Sequence, residues 1–311
     1  MTDRIAAAER TIRERWPDVR LLTDEPMSRH TSFRIGGPAP LLIIPSGPES
    51  LESVCRLMDG LELRPLLIGN GSDLLVEDRP LSFPVIQTHS GNEAARLLPG
   101  GRIEAGCGIT LARLACFARD CGLTGLEFAH GIPGTLGGAL FMNAGAYGGE
   151  MIQVTEQTSV YADGSVFTLS GDEHGFGYRK SRFSEQGGVA LSSVLRLSPG
   201  DPEAIGSTME ELASRRRASQ PLEYPSAGST FKRPAGAYAA ALIDQCGLKG
   251  WSCGGARVSE KHAGFVISDG TAGFDDVMAV MDHVREVVLR ETGFSLEPEV
   301  RIIRASGPAP V

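Results

Sequence analysis

Apolar residues recur at helical spacing in several stretches of the chain. From Ser50 to Asp59, Leu51, Val54, Cys55 and Met58 fall on one face, and Gly60 supplies a stop. "LARLACFARDC" follows Thr110, a residue suited to the N-cap, and ends at Gly122. Asp201-Pro202 opens a more polar helix through "EAIGSTMEELASRRR", with proline at the first helical position. The most regular pattern is "FDDVMAVMDHVREVVLRET". There Val277, Val280, Met281, Val284, Val287 and Val288 share one stripe before Gly293.

Between these helices lie short β-branched or leucine-rich runs bounded by Gly, Pro or Asp: "APLLIIP", "RPLLIGNG", "GRIEAGCG", "GVALSSVLRLSP", "HAGFVISDG" and "EVRIIR". "SVYADGSVFTL" reads as a hairpin turning at Asp163-Gly164. Helices and strands do not alternate strictly, so the pattern predicts an α+β fold rather than a doubly wound parallel sheet. "SPGDPEA" near Gly200 predicts a boundary between a larger front half and a smaller back domain. The expected parts are a lead-in helix over 1–27, a front domain over 28–199, a back domain over 200–305 and a tail over 306–311.

A chain of 311 residues is comfortable for two or three domains, and its 41% hydrophobic and 22% charged residues are those of a globular protein. The net charge of −8 argues against a general nucleic-acid binder or an anionic-membrane binder. "MTDRIAAAERTIRERW" is charged and helical rather than a signal peptide, and no apolar run reaches membrane-spanning length, so a cytoplasmic protein without membrane insertion is expected. Six cysteines form no C-x-x-C pair and six histidines lack zinc spacing. Free thiols and no metal site are expected.

Candidate chemistry begins with glycine. "HGIPGTLGGALFMNAGAYGGE" runs from His130 to Glu150 and contains seven glycines, which supply no side chain to pack. An earlier loop, "LLIGNGSDLLVED", passes from a strand through Gly69, Asn70, Gly71, Ser72 and Asp73 into another apolar run. Neither loop carries the G-x-G-x-x-G-to-helix fingerprint or a Walker sequence. Consecutive small residues can still point several backbone N–H groups into one concavity that suits a pyrophosphate. Each loop also has a plainer reading, a tight turn for the first and a close-packed crossover for the second. Together, with no metal pattern, they suggest one large dinucleotide held without a Rossmann unit.

Seven blocks carry a resemblance: "HTSFRIGGPA", "IGNGSDLLVED", "GIPGTLGGALFMNAGAYGGE", "YRKSRF", "PSAGSTFKRP", "LIDQCGLKGWSCGGARVSEKHAGFVI" and "EPEVRII". In this order they resemble the UDP-N-acetylenolpyruvoylglucosamine reductases, over nearly the whole chain. The resemblance implies an FAD-binding domain of the vanillyl-alcohol-oxidase (PCMH) type followed by a smaller α+β substrate-binding domain. It implies noncovalent FAD, with NADPH as co-substrate, and reduction of the enolpyruvyl ether of UDP-N-acetylglucosamine to UDP-N-acetylmuramate in peptidoglycan precursor synthesis. NADPH and the UDP-sugar would take turns at one site. The stretch from Arg179 to Ser229 is too short for the lid insertion of the longer subtype, which implies the shorter one.

The resemblance also assigns residues. Arg179 would stabilise the enolate, Glu299 would orient or share a proton at the same carboxylate, and Ser229 would deliver a proton to carbon. FAD would lie against Arg34, Gly69, Asn70, Gly71 and Ser72, and against Gly131, Pro133, Gly134, Gly137, Gly138, Asn143, Ala144 and Gly145. Tyr178, Lys232 and Arg233 would meet the substrate's nucleotide and diphosphate. Four residues depart from the family pattern: Asp73 and Ser268 stand where Asn is expected, Arg233 likewise replaces Asn, and His130 stands where a small residue is expected. Asp73 is expected to turn outward or to bind ribose. His130, beside the second loop, is either packed there or a point of covalent flavin attachment. Two other readings stay open: an oxidase of a related FAD fold, and a nucleotide-sugar-binding module that has lost catalysis.

Overall fold

A computed structural model describes residues 2–307. Met1 and residues 308–311, most of the expected tail, lie outside the described residues. The helix Thr2–Arg15 and the helix Pro48–Gly60 pack on a four-stranded sheet. In that sheet Arg20–Pro26 runs antiparallel to Pro38–Ile44, which is parallel to Val85–Gln87, itself parallel to Leu66–Ile68. Strand Pro38–Ile44 is apolar on both faces, as a strand covered from two sides must be. Pro48–Gly60 reaches past it to Tyr161 and Leu191 of a second sheet through Leu51, Val54, Cys55 and Met58, the face expected from the sequence.

The second sheet has five antiparallel strands, in the order Ser165–Ser170, Thr155–Ala162, Val189–Arg196, Arg102–Gly106 and Ala95–Leu98. Its first hairpin turns at Asp163 and Gly164, both at positive φ, the geometry a two-residue hairpin demands. Against this sheet pack Leu111–Asp120, capped by Thr110 Oγ1 accepting from Arg113 N at 3.3 Å, and the short helix Leu136–Met142.

The helix Pro202–Ser219 begins as expected, with the Asp201 carboxylate accepting from Ala204 N at 3.2 Å. Its packing differs from the expected domain division. Its few buried apolar residues, Ile205 and Met209, join the front core beside Leu126 and Ala129, and the back core does not contain them. A boundary drawn after this helix, near residue 220, follows the packing better than one at 200.

The back unit sets the helix Phe274–Thr292 on the strands Ser252–Cys253, Ala256–Val258 and Val266–Ser268. Its core is completed by Phe33, Ile35 and Leu75 from the front half. The chain then returns: strand Arg301–Ile303 lies parallel to Leu74–Val76, directly after the first glycine loop. The overall class is the expected α+β.

Candidate active site

A cavity of about 490 Å³ opens where the two glycine loops face the back unit. That size is ordinary for a cofactor site, roughly 300–1,000 Å³. Gly69, Asn70, Gly71 and Ser72 form one wall, and Pro133, Gly134, Gly137, Gly138, Ala144 and Gly145 form another. The two walls are pressed together, since a Cβ on Gly69 would sit 2.1 Å from Thr135 Oγ1.

The glycines are not equivalent. Gly71 and Gly145 are required by the protein's own packing: a Cβ would lie 2.0 Å from His30 O or 2.7 Å from Glu150 Cγ. Gly134 and Gly138 would meet nothing nearer than 3.8 Å and 3.6 Å. Their empty side-chain positions face the cavity and have no internal use. The amides also divide. Gly134 N donates to Ile132 O and Gly137 N to Cys107 O, while Gly138 N is taken by the Thr135 cap. In the first loop, the N–H groups of Asn70, Gly71 and Ser72 have no acceptor among the described residues. At these positions the first loop has donors to give, while the second gives room at Gly134 and Gly138.

The catalytic candidates converge on the same cavity. Gly177 and Lys180 exchange backbone hydrogen bonds at 3.0 and 3.3 Å, so Tyr178 and Arg179 occupy the tip of a tight turn. Arg179 sits there at φ +55°, a conformation uncommon outside glycine and often found at functional sites. Its Nε donates to Glu299 Oε1 at 2.5 Å and its Nη2 to Gly145 O at 3.4 Å. Ser229 follows Gly228, whose φ of +74° turns the backbone. Beyond it, Glu299 N donates to Thr230 O at 2.8 Å and Lys232 N to Glu297 O at 2.8 Å, so the Ser229 and Glu299 segments run side by side. Arg179, Ser229 and Glu299 all line the cavity. Burial pushes the Glu299 carboxyl up more than the Arg179 guanidinium pulls it down.

Six other expected site residues do not line this cavity. Asn143 is buried behind the wall. Its Nδ2 donates to Glu150 Oε2 at 3.0 Å and to Gly177 O at 3.1 Å, and its Oδ1 accepts from Ile152 N at 3.0 Å. It therefore braces the Arg179 turn. Gly131 lies against Arg216 Cδ, and Arg34 is exposed. Tyr178 is 48% exposed and its hydroxyl accepts from Arg233 N at 3.1 Å. Arg233 lies over the Tyr238 ring, and Lys232 pairs with Glu297 at 2.5 Å. These three form a polar rim outside the cavity. His130 is also off the cavity, with Nδ1 buried and unpartnered.

Sequence reasoning did not find several residues that do line it. Arg301 lies over the Phe141 ring at 4.3 Å, two residues past Glu299 in the same strand-like run, so period-two alternation could have found it. Arg216 and Gln220 enter from the end of Pro202–Ser219. Arg215 and Arg217 pair outward with Glu211 and Glu210, and Arg216 alone of the three lines the cavity. Nothing in "SRRR" marks which arginine turns in. Asp73 does not turn outward. It lines the cavity, with Oδ2 buried and without a hydrogen-bond partner. Burial first, and then the Glu299 carboxyl, push the Asp73 carboxyl well above the usual range, against the pull of Arg301, Arg179 and Lys232. No cluster of His, Cys, Asp or Glu among the described residues could hold a metal.

Three unsatisfied amides, two open glycine positions, and the unpartnered buried oxygens of Asp73 and Gln220 make a cavity that fits a large phosphorylated ligand. Residues 39–170 match the model of an FAD binding domain. The front half is an FAD-binding domain, which makes the protein a flavoprotein.

Residues 220–303 match the model of the UDP-N-acetylenolpyruvoylglucosamine reductase C-terminal domain. The chain is 44% identical over 285 residues to the reductase of that name from Caldanaerobacter subterraneus subsp. tengcongensis, covering 91% of this chain and 94% of that one. It is also 44% identical to the reductase from Clostridioides difficile, covering 90% and 92%. The crystal structure of the reductase from Thermus caldophilus superposes with a TM-score of 0.77 at 34% identity, over 92% of this chain and 98% of that chain. This chain belongs to the UDP-N-acetylenolpyruvoylglucosamine reductase family.

Proposed function

We propose that Arg179 and Glu299 hold the substrate carboxylate and that Ser229 protonates the adjacent carbon, while Asn70, Gly71 and Ser72 receive the cofactor's diphosphate. As a member of its family the protein is a UDP-N-acetylmuramate dehydrogenase, an NADPH-dependent flavin oxidoreductase of peptidoglycan precursor synthesis. Bound FAD supplies the hydride that NADPH provides. The protein's own part is electrostatic and positional. Hydride addition to the enolpyruvyl carbon–carbon double bond leaves negative charge spread into the substrate carboxylate. A guanidinium at that carboxylate stabilises the charge as it forms, which is the largest lever such a site has.

One observation carries this reading. Arg179, Ser229 and Glu299 come from three separate segments, yet they line one cavity with both glycine loops. Glu299 keeps Arg179 aimed, and a carboxyl raised by burial can share a proton with the substrate carboxylate at little cost. Gly134 and Gly138 leave room for a flat ring, and Tyr178, Lys232 and Arg233 at the rim can meet the nucleotide diphosphate. No helix among the described residues is long and apolar enough to cross a membrane. A cytoplasmic site of action, with a nucleotide sugar and no nucleic acid as partner, follows from the substrate.

Anaerobic NADPH should bleach the bound flavin, and adding the enolpyruvyl UDP-sugar should restore its colour. Bleaching followed by reoxidation with oxygen alone would point to an oxidase instead.

A further inference from the structure

Asp73 ends the first glycine loop, immediately after the three amides that have no acceptor. Its carbonyl accepts from Arg301 N at 3.0 Å, which clips the loop to the strand carrying the site's carboxylate end. Its side chain faces the cavity, and Oδ2 is buried without a partner. A buried oxygen left this way destabilises the fold unless a ligand completes it. An ionised carboxylate would be a poor completion here, since it would stand beside amides suited to an anion and repel that anion. A neutral carboxylic acid carries an O–H and behaves as a donor, much as an asparagine amide does.

We propose that Asp73 is held protonated and donates a hydrogen bond from its carboxyl group to an acceptor oxygen of the ligand in this cavity. The groups facing it are Glu299, Arg301, Arg179 from its turn and Lys232 from the segment after Ser229. Glu299 is already engaged by Arg179, so that cation has another carboxylate to serve, and burial together with Glu299 outweighs the pull of Arg301. The acceptor oxygen belongs either to the flavin nucleotide or to the enolpyruvyl UDP-sugar, and both present the same chemistry. Ligand binding then depends on a proton that this aspartate must keep. The proposal rests on reading the cavity as the flavin-nucleotide site.

The test compares wild type with Asp73→Asn, which keeps a donor and cannot ionise. FAD affinity of the apoprotein is measured by flavin fluorescence from mildly acidic to alkaline pH. Affinity of the oxidised holoprotein for the enolpyruvyl UDP-sugar is measured by the shift in flavin absorbance. Wild type should lose affinity for one of the two ligands, by up to about tenfold per pH unit above the Asp73 pKa, and the variant should not. Which ligand shows the loss identifies the source of the acceptor. Infrared spectra of wild type labelled with carbon-13 aspartate should show a protonated carboxyl band at neutral pH, whatever the variant's folding. Identical pH profiles for both ligands, or absence of that band, overturns the proposal and leaves the flavin reading standing. Failure of wild type to bind FAD at any pH defeats the reading itself and the proposal with it.

Discussion

Arg179 and Glu299, 120 residues apart, meet through a single Nε–Oε1 hydrogen bond of 2.5 Å inside the cavity. The pair joins a turn braced by Asn143 to the run that leads into the last strand. A planar guanidinium can keep this bond and still present its other N–H groups to a substrate carboxylate, whereas an ammonium cannot reproduce the fork. Arg179→Lys should therefore lower the rate of substrate reduction by about 10²-fold or more, comparable to losing an oxyanion donor. Single-turnover kinetics check this. Near-normal turnover would remove Arg179 from the chemistry.

Ser229→Ala separates the two half-reactions. Flavin bleaching by NADPH requires no proton at substrate carbon and should stay fast, and substrate should still bind. Reoxidation by the enolpyruvyl UDP-sugar should slow by about 10²- to 10⁴-fold, the range for a positioned general acid. Anaerobic stopped-flow absorbance reads both. Equal slowing of the two would make Ser229 a shape-holding residue.

Gly134→Ala and Gly138→Ala should leave the fold intact and weaken FAD binding. Neither methyl meets the protein closer than 3.6 Å, and Gly138 lies in a helix, where alanine stabilises by about 0.4–1 kcal/mol. The apoprotein of Gly138→Ala should melt no lower than wild type while its FAD dissociation constant rises. Unchanged affinity in both variants would mean that the ligand does not reach this wall.

Stability should fall with rising pH through Asp73. Its folded pKa is raised above the unfolded value of about 4, so between the two the folded state holds a proton that the unfolded state has released. The stability is full below the unfolded value and is lost as pH climbs toward the folded one. Glu299, also raised, acts in the same direction. Asp73→Asn apoprotein should melt above wild type at neutral pH, and the gap should close toward about pH 4. Calorimetry across that range decides it, and a gap that widened in acid would reverse the sign.

Flavin should be released completely by acid precipitation. His130, the one candidate for a covalent link beside the second loop, does not line the cavity. A yellow pellet would place a covalent bond there after all.

Local signals carried most of the fold. The Thr110 cap, the Asp163-Gly164 hairpin and the valine stripe before Gly293 each depend on neighbours in sequence, and each forms as expected. What was not legible depended on distant partners. Pro202–Ser219 buries few apolar residues, and no local pattern tells which core will receive Ile205 and Met209. Asn143 was expected at a ligand because it sits in the glycine loop. Its side chain is claimed by Glu150, Ile152 and Gly177, contacts that exist only once the turn has docked. Asp73 drew notice as an odd residue, but its burial between Glu299 and Arg301 needed the chain's return to be seen.

That return fixes an order of events during synthesis. Because Arg301–Ile303 pairs with Leu74–Val76, the wall formed by residues 69–73 lacks its neighbouring strand until the last described segment has left the ribosome. The FAD-binding domain can emerge long before, but Glu299 and the clip on Asp73 cannot be in place. Secure cofactor capture therefore waits for the Arg301–Ile303 segment, and a ribosome stalled short of residue 299 holds a chain without its completed site.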